Sequence, residues 1–81
     1  MRPERPQPLT RDEHAELGRE LKQTRVKLSE LAALVTEVYG TQNHAAFTFR
    51  KILDALDTLS EGMQAQADED LRGEPVERFY T

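Results

Sequence analysis

The sequence predicts an all-α protein: an antiparallel two-helix hairpin, coiled-coil-like in its patterning, that becomes a four-helix bundle on dimerisation. Three observations predict it. A helix start is encoded at Thr10, two apolar stripes advance in alternating steps of three and four, and a glycine-centred break separates them.

The residues before Thr10 read MRPERPQPL, three prolines in nine positions. Proline removes an amide donor and biases its neighbour away from helix, so residues 1–9 are expected to form a flexible, Pro-rich arm. Its Pro3-x-x-Pro6 spacing is a weak peptide-ligand motif. Thr10-Arg11-Asp12-Glu13 is a capping box, in which the Thr hydroxyl takes an amide hydrogen and Glu13 reaches back to the Thr10 amide. Helix 1 is therefore expected over about 11–39. Its seam runs His14, Leu17, Leu21, Thr24, Leu28, Leu31, Val35 and Val38. Thr24, the polar residue in mid-seam, is expected to bond its own helix backbone.

Gly40 can adopt a positive φ after the last turn, and Thr41 and Asn43 can each cap a new helix start. The alternative is one uninterrupted helix through Gly40, since a lone glycine costs only about 1 kcal/mol relative to alanine. Helix 2 is expected over about 43–71, with the seam Ala45, Phe49, Ile52, Leu56, Leu59, Met63, Gln66 and Asp70. Reversal at residues 40–43 brings Val38 near Ala45, Val35 near Phe49, Leu28 near Leu56 and Leu21 near Met63. Gly62 marks a kink or a close backbone approach, and Gly73 with Pro75 ends the helix, leaving 73–81 as a C-terminal tail. The domain reading is thus an arm (1–9), a hairpin (10–72) and the tail.

With 81 residues, one hairpin buries too little surface to be comfortable alone. The apolar surface is also wider than one seam: Ala46, Leu53, Ser60 and Ala67 form a second stripe on helix 2, and Gly18, Ala32, Leu34 and Tyr39 widen helix 1. A wide stripe implies more than one neighbour, so a homodimer is expected, with a different partner protein as the alternative.

Charged residues make up 32% of the chain, the net charge is −4 and there is no cysteine. Disulfide frameworks and thiolate chemistry are excluded, and a cytoplasmic setting is expected. Neither a signal segment nor a membrane-spanning stretch is expected. Nucleic-acid binding, which needs clustered positive charge, is disfavoured. A basic ridge of Arg19, Lys22, Arg25 and Lys27 keeps open a transcriptional accessory that touches DNA or polymerase. The acidic ridge Asp54, Asp57 and Glu61 is opposite in sign, and both are expected to face away from the hairpin seam, where they could steer hairpins together.

His14 and His44 begin the two helices, about 35–40 Å apart in a hairpin, and cannot share a metal within one chain. His14 with Asp68, Glu69 and Asp70 is a weak divalent-metal candidate whose ordinary reading is a solvated salt bridge. No Glu-x-x-His pair is present, and the cations avoid the seam, so neither a di-iron site nor an anionic substrate pocket is indicated. No cofactor and no catalytic residue is expected. The expected function is a small, non-enzymatic interaction or assembly module; a small-ligand or metal-binding bundle is a further alternative. Its contact residues would be the outer stripe Leu34, Ala46, Leu53 and Ala67, the hairpin tip Tyr39 and Phe47 beside His44, and the tail pair Phe79 and Tyr80. That pair, with Val76, either docks back on the bundle or serves as a short binding motif.

Overall fold

Thr10 is extended, its hydroxyl accepts the Glu13 amide hydrogen at 3.2 Å, and its own N–H donates to Glu13 Oε1 at 2.9 Å. This box starts helix α1, Arg11–Tyr39, in a computed structural model that describes residues 7–80. The Pro3-x-x-Pro6 spacing and most of the expected arm lie outside the described residues. Asp12 and Glu13 sit in the first turn, where the helix dipole favours acids. Gly40 ends the helix at φ +88°, a conformation that side chains disfavour, and returns its N–H to Thr36 O at 2.8 Å. Asn43 Oδ1 then accepts from the amides of Ala45 and Ala46, at 2.8 and 3.3 Å, and opens α2, His44–Asp70. The chain is an all-α hairpin, and no strand occurs among the described residues.

The helices meet along a line displaced from the expected seams. The buried helical residues are His14, Gly18 and Ala32 on α1, and Ala46 and Ala67 on α2. Between them, Leu21, Leu28 and Val35 are half-buried on α1, as are Phe49, Leu53, Leu56, Ser60 and Met63 on α2. The contact line is therefore 14–18–21–28–32–35 against 46–49–53–56–60–63–67. Of the expected seams, His14, Leu21, Leu28 and Val35 on α1 and Phe49, Leu56 and Met63 on α2 belong to it. Leu17 and Asp70 are half-buried at the open end, and the remaining seam positions, Thr24, Leu31 and Val38 on α1 with Ala45, Ile52, Leu59 and Gln66 on α2, are exposed. Ala46 and Ala67 thus lie inside the hairpin, and Leu53 is half-covered there. Small side chains at Ala32, Ala46 and Ala67 let the helices meet there, and Leu21, Leu28, Val35, Phe49, Leu53, Leu56 and Met63 pack half-buried along the same line.

At 100° per residue, positions 17, 24, 31 and 38 fall on one side of the α1 contact line, and Lys22 and Arg25 on the other. Because α2 runs the opposite way, its positions 45, 52, 59 and 66 fall on the same side as 31 and 38. The hairpin therefore has two unlike broad faces. One carries Leu31, Val38, Ile52 and Leu59, which are 39%, 62%, 43% and 47% exposed. Across the other, Arg25 makes a two-pronged ion pair with Asp57, Nε to Oδ1 at 2.6 Å and Nη2 to Oδ2 at 3.1 Å. The basic and acidic ridges are accordingly joined within one hairpin through Arg25 and Asp57.

After α2 the chain makes a turn, with Glu74 N donating to Leu71 O at 3.0 Å and Gly73 at φ +89°. Residues 75–80 then run back along the second face as an irregular strap that ends with Phe79 and Tyr80 buried.

Candidate functional site

Helix α1 brings His14 to the open end of the hairpin, where α2 supplies Asp70 and the strap supplies Phe79 and Tyr80. His14 is fully buried. Its Nε2 lies 2.9 Å from Asp70 Oδ2 and its Nδ1 lies 2.7 Å from the Tyr80 hydroxyl. An ionised Asp70 can only accept, so Nε2 carries the proton of the neutral ring; Nδ1 then accepts the hydrogen that the Tyr80 hydroxyl donates. Asp70 also accepts from Gln66 Nε2, at 2.7 Å. The Gln66 hydrogen bond first, with His14 and the Leu9 amide adding to it, holds the Asp70 carboxyl below the ordinary range against the opposing effect of burial. Burial, reinforced by the Asp70 charge, pushes the Tyr80 hydroxyl upward. No buried side-chain polar atom is left unpaired among the described residues.

Phe79 stacks on the His14 ring, with centroids 6.0 Å apart and planes at 19°, and Tyr80 stands edge-on to it at 5.8 Å. Ala67, Leu71, Phe79 and Tyr80 form one apolar cluster, lined by Ala15, Leu17, Leu21, Met63 and Val76. Gly18 makes the seat possible: a Cβ there would stand 2.2 Å from the Phe79 carbonyl oxygen. The sequence reading of His14 as a solvated ion pair at a frayed end is therefore corrected. Asp68 and Glu69 are exposed, Glu69 pairs with Arg72 at 2.6 Å, and no three metal-ligating side chains converge among the described residues. Of the four weak metal candidates, only His14 and Asp70 meet.

The other expected contact residues separate. Phe79 and Tyr80 belong to the core of the open end, so the tail docks back in place of presenting a free motif. Leu34, Tyr39 and Phe47 are 56%, 68% and 45% exposed. Phe47 lies on the outer side of α2 under the cations of Lys51 and Arg50, at 4.9 and 5.9 Å from its ring centre. In the basic ridge, Arg19 is paired with Glu16 and Arg25 with Asp57, while Lys22 and Lys27 are exposed. A shallow groove of about 560 Å³ beside Tyr80 is lined by Leu21, Lys22, Arg25, Asp57, Ser60 and Glu61, and this mixture of charges favours neither an anion nor a cation. Thr24, expected in mid-seam, is exposed.

The free face is the feature the expected seams concealed. Along α2 the positions Ala45, Thr48, Ile52, Ala55, Leu59, Gly62 and Gln66 step by three and four, all exposed and all uncharged. Gly62 sits in mid-helix with nothing of its own chain within 4 Å of where a Cβ would be. An interior helical glycine costs about 1 kcal/mol relative to alanine, and no contact within the hairpin accounts for it.

No protein-family model matches this chain, and neither a curated protein nor a solved structure was found to be similar to it. Its fold and surfaces define a small helical hairpin suited to an interaction module. No helix among the described residues is long and apolar enough to cross a membrane.

Proposed function

We propose that this chain is a non-catalytic self-assembly module, in which a second copy covers the uncharged face and completes a four-helix bundle. The observation that carries the reading is the α2 stripe from Ala45 to Gln66, seven exposed positions without a charge in a chain that is 32% charged. Leu31 and Val38 of α1 border it on the same face. Isolated exposed apolar residues are ordinary, but Ile52 and Leu59 stand on an uncharged helical stripe with Leu31 and Val38 beside them, and such a grouping favours an interface. A two-fold contact presents the same patch from both copies, so an uncharged face is complementary to itself.

Covering the exposed parts of Leu31, Val38, Ile52 and Leu59 contributes about 1 kcal/mol for each residue on each copy. Gly62 and Ala55 let a second helix approach closely. The basic-ridge reading, by contrast, is left with Lys22 and Lys27, because Arg19 and Arg25 already hold acids of their own chain. Sedimentation equilibrium tests the proposal: the chain, 9.3 kDa as a monomer, should double in mass at micromolar concentration. A monomer persisting to several hundred micromolar would refute it.

A further inference from the structure

The strap is held in the way a bound peptide is held. One side chain, Gln64, clamps its main chain twice: Nε2 donates to the Glu77 carbonyl at 2.9 Å, and Oε1 accepts the Tyr80 N–H at 3.2 Å. The Arg11 guanidinium donates to the Pro75 carbonyl and reaches Glu74 at 3.3 Å and Glu77 at 3.4 Å. Side-chain identity is read at two places. The Phe79 ring stacks on the His14 ring while its backbone carbonyl lies against the bare Gly18, and the Tyr80 hydroxyl is read by His14 Nδ1. Main-chain clamps with pockets for particular side chains are how extended peptides are recognised.

The strap is also separable from its support. It has no helix or strand of its own, it is joined to α2 through the turn at Gly73, and its Arg11 ion pairs are solvent-facing. The Ala32 and Ala46 contacts nearer the hairpin tip do not involve it. Phe79 and Tyr80 are its buried anchors, while Glu74, Pro75, Glu77 and Arg78 are exposed, and a short segment held by two anchors and exposed hydrogen bonds opens locally before the whole fold does.

We infer that the open end of the hairpin is a binding site for an extended peptide carrying a Phe-Tyr pair, occupied by the chain's own residues 74–80 as an exchangeable strap. The strap leaves as one unit while α1 and α2 stay paired. This inference uses the face opposite the uncharged one and stands whether or not the chain dimerises.

The test uses the full chain. In Gly18→Ala the new methyl meets backbone at Phe79, so the strap is expelled while alanine favours the helix. Helical circular dichroism should remain within about a tenth of the parent, trypsin should cut after Arg78 at least tenfold faster, and Tyr80 should ionise in the ordinary tyrosine range. In a second variant, Phe79→Ala with Tyr80→Ala, the vacated site should bind a synthetic peptide of residues 74–80 with one-to-one stoichiometry. A peptide with phenylalanine in place of Tyr80 should bind about tenfold more weakly, for loss of the His14 hydrogen bond. Two results would overturn the inference: loss of helix in step with loss of the strap in both variants, or no binding of the peptide at millimolar concentration.

Discussion

Leu59→Glu is expected to dissociate the dimer and leave each hairpin helical. Leu59 is 47% exposed in the single chain, so a carboxylate there remains solvated and the hairpin loses little. In the proposed bundle the same position lies beneath a second copy, and two-fold symmetry buries two carboxylates at once. Desolvating a charge without a partner costs several kcal/mol, so about 4 kcal/mol or more is expected for the pair, a thousandfold weaker association. Sedimentation equilibrium of the variant should give the monomer mass at concentrations where the parent is dimeric, with an unchanged circular dichroism spectrum. Lys22→Glu, on the opposite face beside Arg25, serves as the control and should leave association within about threefold.

His14→Ala should have the largest effect at the open end. The imidazole satisfies Asp70 and the Tyr80 hydroxyl together and forms the surface on which Phe79 stacks. Its removal leaves a void and two buried polar groups without their partner, a combination worth about 3–5 kcal/mol. A strap of seven residues cannot absorb that cost in place, so it should lift off and expose both groups to water. Amide exchange of residues 76–80 should accelerate at least a hundredfold, with residues around Ala32 and Ala46 little changed. The acid limb of stability responds as well. The Asp70 pKa is depressed in the folded chain, so its contribution is fully present above the ordinary carboxylate pKa of about 4 and is lost as pH falls through the lower folded value. Gln66 remains in the variant, so this acid dependence should shrink without vanishing.

The helix ends were legible because their causes are local. Thr10 with Glu13, Gly40 and Asn43 each act within four residues, and their side chains declare the geometry they need. The facing of the helices was less legible. A heptad stripe gives the width of an apolar surface, not which of its flanks is covered, and weighting by side-chain size favours Leu31 and Ile52 over Ala32 and Ala46. Close approach through small residues reverses that choice, and the uncovered stripe moves from Ala46–Leu53–Ala67 to Ala45–Ile52–Leu59. The buried His14 pair was hidden because Tyr80 lies 66 residues away in sequence and reaches it only through the turn at Gly73. One signal was present: Gly18, a helix-disfavouring residue one turn beyond His14, which the strap explains by its contact with the Phe79 backbone.

Everything proposed about assembly rests on which face a second copy covers, and the chain's one isoleucine, Ile52, stands on that face. Isotope-filtered NOE spectroscopy on a mixture of methyl-labelled and unlabelled chains reads it without a mutation. Intermolecular NOEs are expected from the Ile52 methyl to protons of the other copy. A dimer in which Ile52 shows none, while the methyls of Val26 on the outer side of α1 do, would contradict this expectation.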